Sequence, residues 1–257
     1  MALLSVRELT VQFGGLRAVD GFSMDVEPGR IHSLIGPNGA GKSSVINAVT
    51  GLYPVRAGSI RLAGEELVGL APHRIAARGL TRTFQNVELF GEMTVLDNVL
   101  VGAHRRLGYG VLGAALRAGS GWRTERREVQ RAEQILETVG LADDRRRQAR
   151  DLPFAKQRRL ELARALATEP RVLLLDEPAA GMTAAEVAGL NKILVGLRER
   201  QGLTVVLVDH VMQVVMEISD VITVLHYGRK IAEGPAHVVR SDAEVVRAYL
   251  GERRARR

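Results

Sequence analysis

The stretch Gly36-Pro37-Asn38-Gly39-Ala40-Gly41-Lys42-Ser43 constrains this chain more than any other part of it. It matches G-x-x-x-x-G-K-[ST], the phosphate-binding loop, at every fixed position. Its flanks match as well. Arg30–Ile35 reads as a short buried strand and Ser44–Val49 as the start of a helix, which is the strand–loop–helix setting the motif requires. Glycines let successive backbone N–H groups converge on phosphate oxygens, and a helix N-terminus adds positive potential. In this reading Gly36 to Ser44 form the nucleotide cradle, Lys42 pairs with the β- and γ-phosphates, and the Ser43 hydroxyl ligates Mg²⁺. The competing reading is a glycine-rich turn that binds nothing, and the flanking elements weigh against it.

Composition narrows the remaining classes. A chain of 257 residues is long enough for one large domain or two lobes. The net charge of +7 is carried almost wholly by arginine, because lysine occurs only at Lys42, Lys156, Lys192 and Lys230. That balance permits nucleic acid, acidic lipid or nucleotide as a partner and does not choose among them. The absence of cysteine excludes disulfides and thiolate metal sites. The six histidines are scattered without metal-ligand spacing. The first residues lack a charged segment followed by an apolar one, and no apolar run approaches the ~20 residues of a membrane span. The expectation is a soluble, cytosolic chain that meets a membrane only through a partner or a surface patch.

Strand signals fill the first part: Leu4–Phe13, a short Gly21–Val26, Arg30–Ile35 and Gly58–Leu62, with a helix at Pro72–Arg78 and an extended Leu80–Phe84 ending at Gln85-Asn86. From Glu88 to Thr168 the character is helical. Thr94–Val101 holds good helix formers, and Gly108–Gly121 is a loop or marginal helix. Glu125–Val139 places Val129, Ala132, Leu136 and Val139 on one face and Arg126, Arg127, Glu128, Arg131 and Glu133 elsewhere. Arg145-Arg146-Arg147 with Arg150 reads as a solvated basic face. Alternation then returns, with strands at Arg171–Asp176, Thr204–Val208, Val221–Leu225 and Arg229–Glu233. Helices lie at Thr183–Arg200, Met212–Ile218 and Val245–Leu250, before a frayed arginine tail from Arg253.

A second half of a nucleotide site lies at Val172-Leu173-Leu174-Leu175-Asp176-Glu177. A buried strand delivers Asp176 to its C-terminal end, where ligands bind in α/β sheets and an acid can hold Mg²⁺, usually through water. Glu177 points elsewhere and can orient or deprotonate a water attacking the γ-phosphate. His210 follows the apolar strand Val205–Asp209 and emerges at the same sheet edge. Gln85 ends a strand in the same manner and is placed to sense Mg²⁺ or the attacking water.

These parts in this order resemble the ATP-binding cassette ATPases, the motor subunits of ABC transporters, over nearly the whole chain. The matching segments are the P-loop, Thr83-Phe84-Gln85, Asp176-Glu177-Pro178 and His210. The resemblance implies an α/β P-loop core with an N-terminal antiparallel β subdomain and an inserted helical subdomain. It implies a single nucleotide-binding domain over 1–257, with approximately 1–87 and 169–257 as core and 88–168 as the helical part. It also implies that Phe13 stacks on adenine. Finer matches at Val11–Val19, Arg82–Asn86, Asp176–Met182 and Val246–Gly251 resemble the ATPase subunit of high-affinity branched-chain amino acid importers. This finer resemblance implies ATP and Mg²⁺ as cofactors and a second ATPase chain, identical or different. It further implies two membrane-spanning permease subunits above the pair, a solute-binding protein acting through them, and a place on the inner face of the cell membrane. No nucleic acid is expected. An ABC ATPase for another cargo such as urea or a lipid, or a regulatory subunit with weakened hydrolysis, stays open. A GTPase is disfavoured because Asn191-Lys192-Ile193-Leu194 lacks the acid that reads guanine.

The family signature Leu-Ser-Gly-Gly-Gln aligns with Leu152-Pro153-Phe154-Ala155-Lys156-Gln157, which in a closed dimer covers the γ-phosphate bound to the other chain. Pro153 offers neither hydroxyl nor N–H, yet suits the start of a helix. Ala155 adds a methyl and disfavours φ > 0. The expectation is that Ala155 weakens the signature and that glycine there raises turnover.

Overall fold

The computed structural model describes residues 1–83, 88–104, 120–209 and 212–255. They form two compact units: 1–82 with 171–179 and 194–257, and 83–170 with 180–193.

The first unit holds both sheets. β1 (Leu4–Phe13) and β2 (Leu16–Val26) are a hairpin turned at Gly14-Gly15, and β4 (Ala57–Leu62) and β5 (Glu65–Glu66) complete an antiparallel sheet of order β2-β1-β4-β5. β2 begins at Leu16, five residues before the start expected from sequence. Alternate residues of β1 and β2 are buried, Leu4, Val6, Leu9, Val11, Val19 and Phe22 among them, as a sheet with one face on the core requires.

The second sheet has the order β10-β9-β3-β8-β7-β6 among the described residues. Its strands are β3 (Ile31–Ile35), β6 (Leu80–Arg82), β7 (Val172–Asp176), β8 (Thr204–Val208), β9 (Val221–His226) and β10 (Arg229–Gly234). Every pair is parallel except β9–β10. All five residues of β3, β7 and β8 are buried, the continuous burial of strands covered on both faces. The two sheets share one core with the helix α1 (Lys42–Val49), through Leu34, Val45, Ile46, Val49, Leu174 and Val206. α2 (Pro72–Ala77) starts on a proline at its first position, where the missing N–H costs nothing.

The second unit is helical. α3 (Val95–Gly102) is capped by Thr94, whose Oγ1 accepts from the Asp97 N–H at 3.1 Å. α4 spans Ser120–Thr138 and α5 Phe154–Leu166, and α6 (Ala184–Gln201) belongs to this unit as far as Ile193. α3 meets α5 closely at Gly102, where any Cβ would lie 2.2 Å from the Arg164 carbonyl oxygen. Ala132, Leu136 and Val139 are buried as the helical periodicity predicts. Glu128 departs from it: it is buried rather than on the polar face, and Arg131 pairs with it at 2.9 Å one turn on. The Arg145–Arg150 cluster is half-exposed but pinned, Arg147 to Asp144 and Arg150 to Glu92.

α7 (Met212–Ile218), α8 (Ala236–Ser241) and α9 (Ala243–Ala255) finish the first unit. α8 has no counterpart in the sequence reading, and α9 extends to Ala255, through the start of the expected frayed tail at Arg253. Arg256 and Arg257 lie outside the described residues, as does most of the Gly108–Gly121 stretch.

Candidate nucleotide site

The phosphate loop follows β3 directly and leads into α1, whose first residue is Lys42. Gly41 precedes the helix with φ 104°, and a Cβ there would sit 2.5 Å from the Ala18 carbonyl oxygen. Glycine is required at this position on both counts. Lys42 is buried, and its Nζ donates to the carbonyl oxygens of Gly36 at 2.7 Å and Pro37 at 2.9 Å. A cleft of ≈ 500 Å³ lies above the loop, floored by Asn38–Ser44 and walled by Leu16–Ala18, Glu177 and Tyr227–Gly228. The β9–β10 turn is fixed to the loop by the Gly228 N–H, which donates to the Ala40 carbonyl at 2.8 Å. Neither Leu16–Ala18 nor Tyr227–Gly228 carries a sequence signal for this role. They reach the cleft because β2 and the β9–β10 turn fold back beside the loop.

Asp176 is the last residue of β7, paired in register with Val208 of β8, and is buried. Glu177 follows with φ 48°, a left-handed conformation that costs a residue with a side chain about 1–2 kcal/mol. Its N–H donates to the Val208 carbonyl at 2.7 Å, which holds the turn and sends Glu177 to the wall of the cleft. Successive residues at the end of β7 thus have separate surroundings, as the sequence implies. Such strain on a non-glycine residue is a common mark of a functional position. Arg82, at the end of β6, carries no sequence signal for a role here. Its Nη2 donates to Asp176 Oδ2 at 2.6 Å.

Phe13 is half-exposed and does not line the cleft. Its ring stands nearly perpendicular to that of Tyr53, with centroids 5.0 Å apart. Gln85 and His210 lie outside the described residues.

In the helical unit, Leu152 is buried and Pro153 is the residue before α5, extended at φ −55° and ψ 150°. The proline stands at the N-cap, one position before the first turn, and the helix forms directly after it. The first-turn N–H groups of α5, at Phe154, Ala155 and Lys156, have no partner within the helix by its geometry. Gln157 Nε2 donates to the Leu152 carbonyl at 3.0 Å. Lys156 Nζ bonds Asp144 Oδ2, and this contact, aided by Arg147 and opposed by desolvation, leaves the Asp144 carboxyl below the usual carboxylate range. Phe154 is half-exposed under the Arg158 guanidinium, 5.3 Å from its ring centre. At Ala155 the structure bears on one of the two reasons behind the sequence expectation, the conformational one. It lies in the first turn of α5, is buried, and is not among the residues of positive φ. The conformational reason for wanting glycine there does not apply.

Hard oxygen donors suit Mg²⁺. Ser43 at the start of α1 and Asp176 at the end of β7 supply a hydroxyl and a carboxylate. No cluster of three or more His, Cys, Asp or Glu side chains that could cage a metal occurs among the described residues. One carboxylate and one hydroxyl, with phosphates and waters for the rest, is how proteins usually hold this ion.

A phosphate loop at the end of β3, a carboxylate pair at the end of β7 and an all-β flank beside the cleft define a P-loop nucleotide-binding cassette. Comparison with known proteins makes the class specific. The ABC transporter family matches residues 19–180, and the chain belongs to that family; its ATP-binding cassettes bind and hydrolyse ATP. A second family, branched-chain amino acid ATP-binding cassette transporter, matches residues 229–255. The chain is 45% identical to the high-affinity branched-chain amino acid transport ATP-binding protein BraF of Pseudomonas aeruginosa over 97% of this chain and 98% of that one. It is 44% identical to LivG of Escherichia coli, described in the same words, over the same shares. Among solved structures, the ADP conformation of MJ1267, an ATP-binding cassette of an ABC transporter, superposes with a TM-score of 0.84. It is 30% identical, and the match covers 98% of this chain and 99% of that one.

Proposed function

We propose that this chain is the ATP-hydrolysing subunit of a membrane importer for branched-chain amino acids. The observation that carries the cargo is the match at both scales: 45% and 44% identity to two such subunits over nearly the full length, and the match of 229–255 to the branched-chain amino acid cassette family. In this reading the chain pairs with a second cassette, identical or different, beneath two permease subunits on the cytoplasmic face, and a solute-binding protein delivers cargo to them. No helix among the described residues is long and apolar enough to cross a membrane. The first unit is the nucleotide-holding core and the second the helical subdomain that carries the signature.

In this reading the exposed Phe13 ring, outside the cleft lining and edge-on to Tyr53, turns to stack on adenine. The amides of Gly36–Ser44 and the Lys42 ammonium take the phosphates, Lys42 exchanging the carbonyls of Gly36 and Pro37 for phosphate oxygens. Ser43 and Asp176, with Gln85, hold Mg²⁺, which when bound neutralises charge developing on the β- and γ-phosphate oxygens. Glu177 accepts a proton from the water whose oxygen bonds the γ-phosphorus, as the bond from that phosphorus to the ADP oxygen breaks. His210 steadies the γ-phosphate. Leu152–Gln157 of the other cassette cover it, with the first-turn N–H groups of α5 as donors to the anion.

The test is Glu177→Gln beside the unaltered chain, alone and reconstituted with its membrane subunits. The variant is expected to bind ATP and to lose turnover by about 10²–10⁴, the usual range for a general base. Turnover in the unaltered chain is expected to rise when a branched-chain amino acid and its binding protein are added. Brisk hydrolysis by the variant refutes the role of Glu177, and stimulation by urea but not leucine moves the cargo.

A further inference from the structure

One guanidinium ties three elements of the site together. Arg82, the last residue of β6, donates from Nη2 to Asp176 Oδ2 on β7 and from Nη1 to Asn47 Oδ1 on α1, both at 2.6 Å. Thr50 Oγ1, just past the end of α1, lies 3.5 Å from Nη1. The Arg82 and Asp176 side chains are 10% and 9% exposed, so the pair is shielded from water and weakly screened. It engages one oxygen of the carboxylate that the proposed mechanism assigns to Mg²⁺.

We propose that Arg82 is a positioning residue that makes the metal affinity of Asp176 conditional on the nucleotide. A planar guanidinium bonded to both Asp176 and α1 fixes where the carboxylate stands relative to the helix that bears Ser43. Its charge also cancels that of the carboxylate. With Asp176 neutralised by Arg82, only the neighbouring Glu177 is left at the end of β7 to draw in a cation, and Mg²⁺ is recruited strongly when phosphate oxygens add their own charge. Arginine suits this role because its charge persists across the physiological range. Removing the charge leaves Asp176 as a shielded, uncompensated carboxylate. ATP alone is then repelled, while Mg²⁺ is attracted and takes the place of the lost counter-ion.

This rests on Asp176 being a metal-holding residue, and the experiment separates the two. The full chain is titrated with a fluorescent ATP analogue in EDTA and in excess Mg²⁺, and the ratio of the two dissociation constants is the readout. Arg82→Met and Arg82→Gln are expected to raise that ratio at least tenfold, because a unit charge about 6 Å from a divalent ion is worth about tenfold even in a water-like medium and more in a shielded one. Arg82→Lys, which keeps the charge and loses the planar fork, is expected to stay within about twofold of the unaltered chain. Thermal unfolding identifies which variants are folded, and Gln and Lys serve if Met is not. An unchanged or lowered ratio in the neutral variants overturns the proposal, as does a Lys variant that behaves like Met, because a purely structural role would not distinguish charge from shape. Asp176→Asn is expected to shrink the difference between EDTA and Mg²⁺, with Ser43, Gln85 and the phosphates left as ligands. A normal ratio there refutes the assignment of Asp176 itself, whatever Arg82 does.

Discussion

Glu177 offers a test in which stability and catalysis move independently. At φ 48° its backbone is left-handed, which costs a residue bearing a Cβ about 1–2 kcal/mol, whereas glycine adopts it freely. Glycine also gains about 0.5–1 kcal/mol of conformational freedom in the unfolded chain. Comparing Glu177→Gly with Glu177→Ala removes the carboxylate from both and leaves only this backbone difference. The net expectation is that the glycine variant is the more stable by about 0.5–1 kcal/mol, or about 2 °C in Tm for a chain of this size. At an ordinary position the order is reversed, with alanine ahead by about 0.4–1 kcal/mol. Chemical denaturation and thermal unfolding measure the difference, and ATP turnover is followed in parallel. Both variants are expected to hydrolyse ATP about 10²–10⁴ times more slowly than the unaltered chain, a range typical of a lost general base. An alanine variant as stable as the glycine variant would refute the strain reasoning. Strain relieved together with retained turnover would refute the link between this geometry and catalysis.

Ala155→Gly is expected to leave turnover within about twofold while lowering stability by up to ~1 kcal/mol, because the methyl is buried in the first turn of a helix where glycine is the poorer residue. A clear rise in ATPase rate would restore the idea that this methyl hinders the signature. His32 is buried, its Nε2 within 2.7 Å of Thr223 Oγ1, which in turn donates to Glu233. Burial first, opposed by Glu233 and Asp25 and aided by Lys230, lowers its pKa. The unfolded chain therefore binds the extra proton more readily. Stability from this residue is intact above the ordinary histidine value of about 6.5 and is lost as pH falls below it. His32→Gln is expected to flatten the loss of Tm between neutral and mildly acidic pH, and parallel curves for the two proteins would contradict it.

The phosphate loop and the acidic end of β7 are legible in the sequence because each is a contiguous string whose chemistry depends on neighbours in the chain. Other features depend on neighbours in space. Arg82 and Asp176 are 94 positions apart and meet only because β6 lies beside β7. Periodicity places Glu128 on the polar face because it registers the charge alone, and the Arg131 that compensates it one turn on becomes visible only once burial is known. β2 starts early because the Gly14-Gly15 turn closes a hairpin with β1, and the polar Arg17 masks that strand's beginning. The positive φ of Glu177 has no sequence signal, since nothing in the residue type asks for it. For Ala155, comparison with a glycine-bearing pattern points to a backbone constraint that the helical conformation does not impose.

β7 is hydrogen-bonded on both sides, to β6 through Leu80–Arg82 and to β8 through Thr204–Val208. A strand held on both edges has no freedom to slide, and a slip of one residue would exchange its two faces. Deleting a single residue between Val172 and Asp176 would therefore bring Glu177 into the place of Asp176, and inserting one would push Asp176 into the place of Glu177, instead of being absorbed locally. Changes in length can accumulate in the connections that lead to and from this strand, while the five residues within it form a fixed ruler. Over evolutionary time, insertions and deletions in descendants of this chain would be confined to the surroundings of that ruler, which itself would change only by substitution.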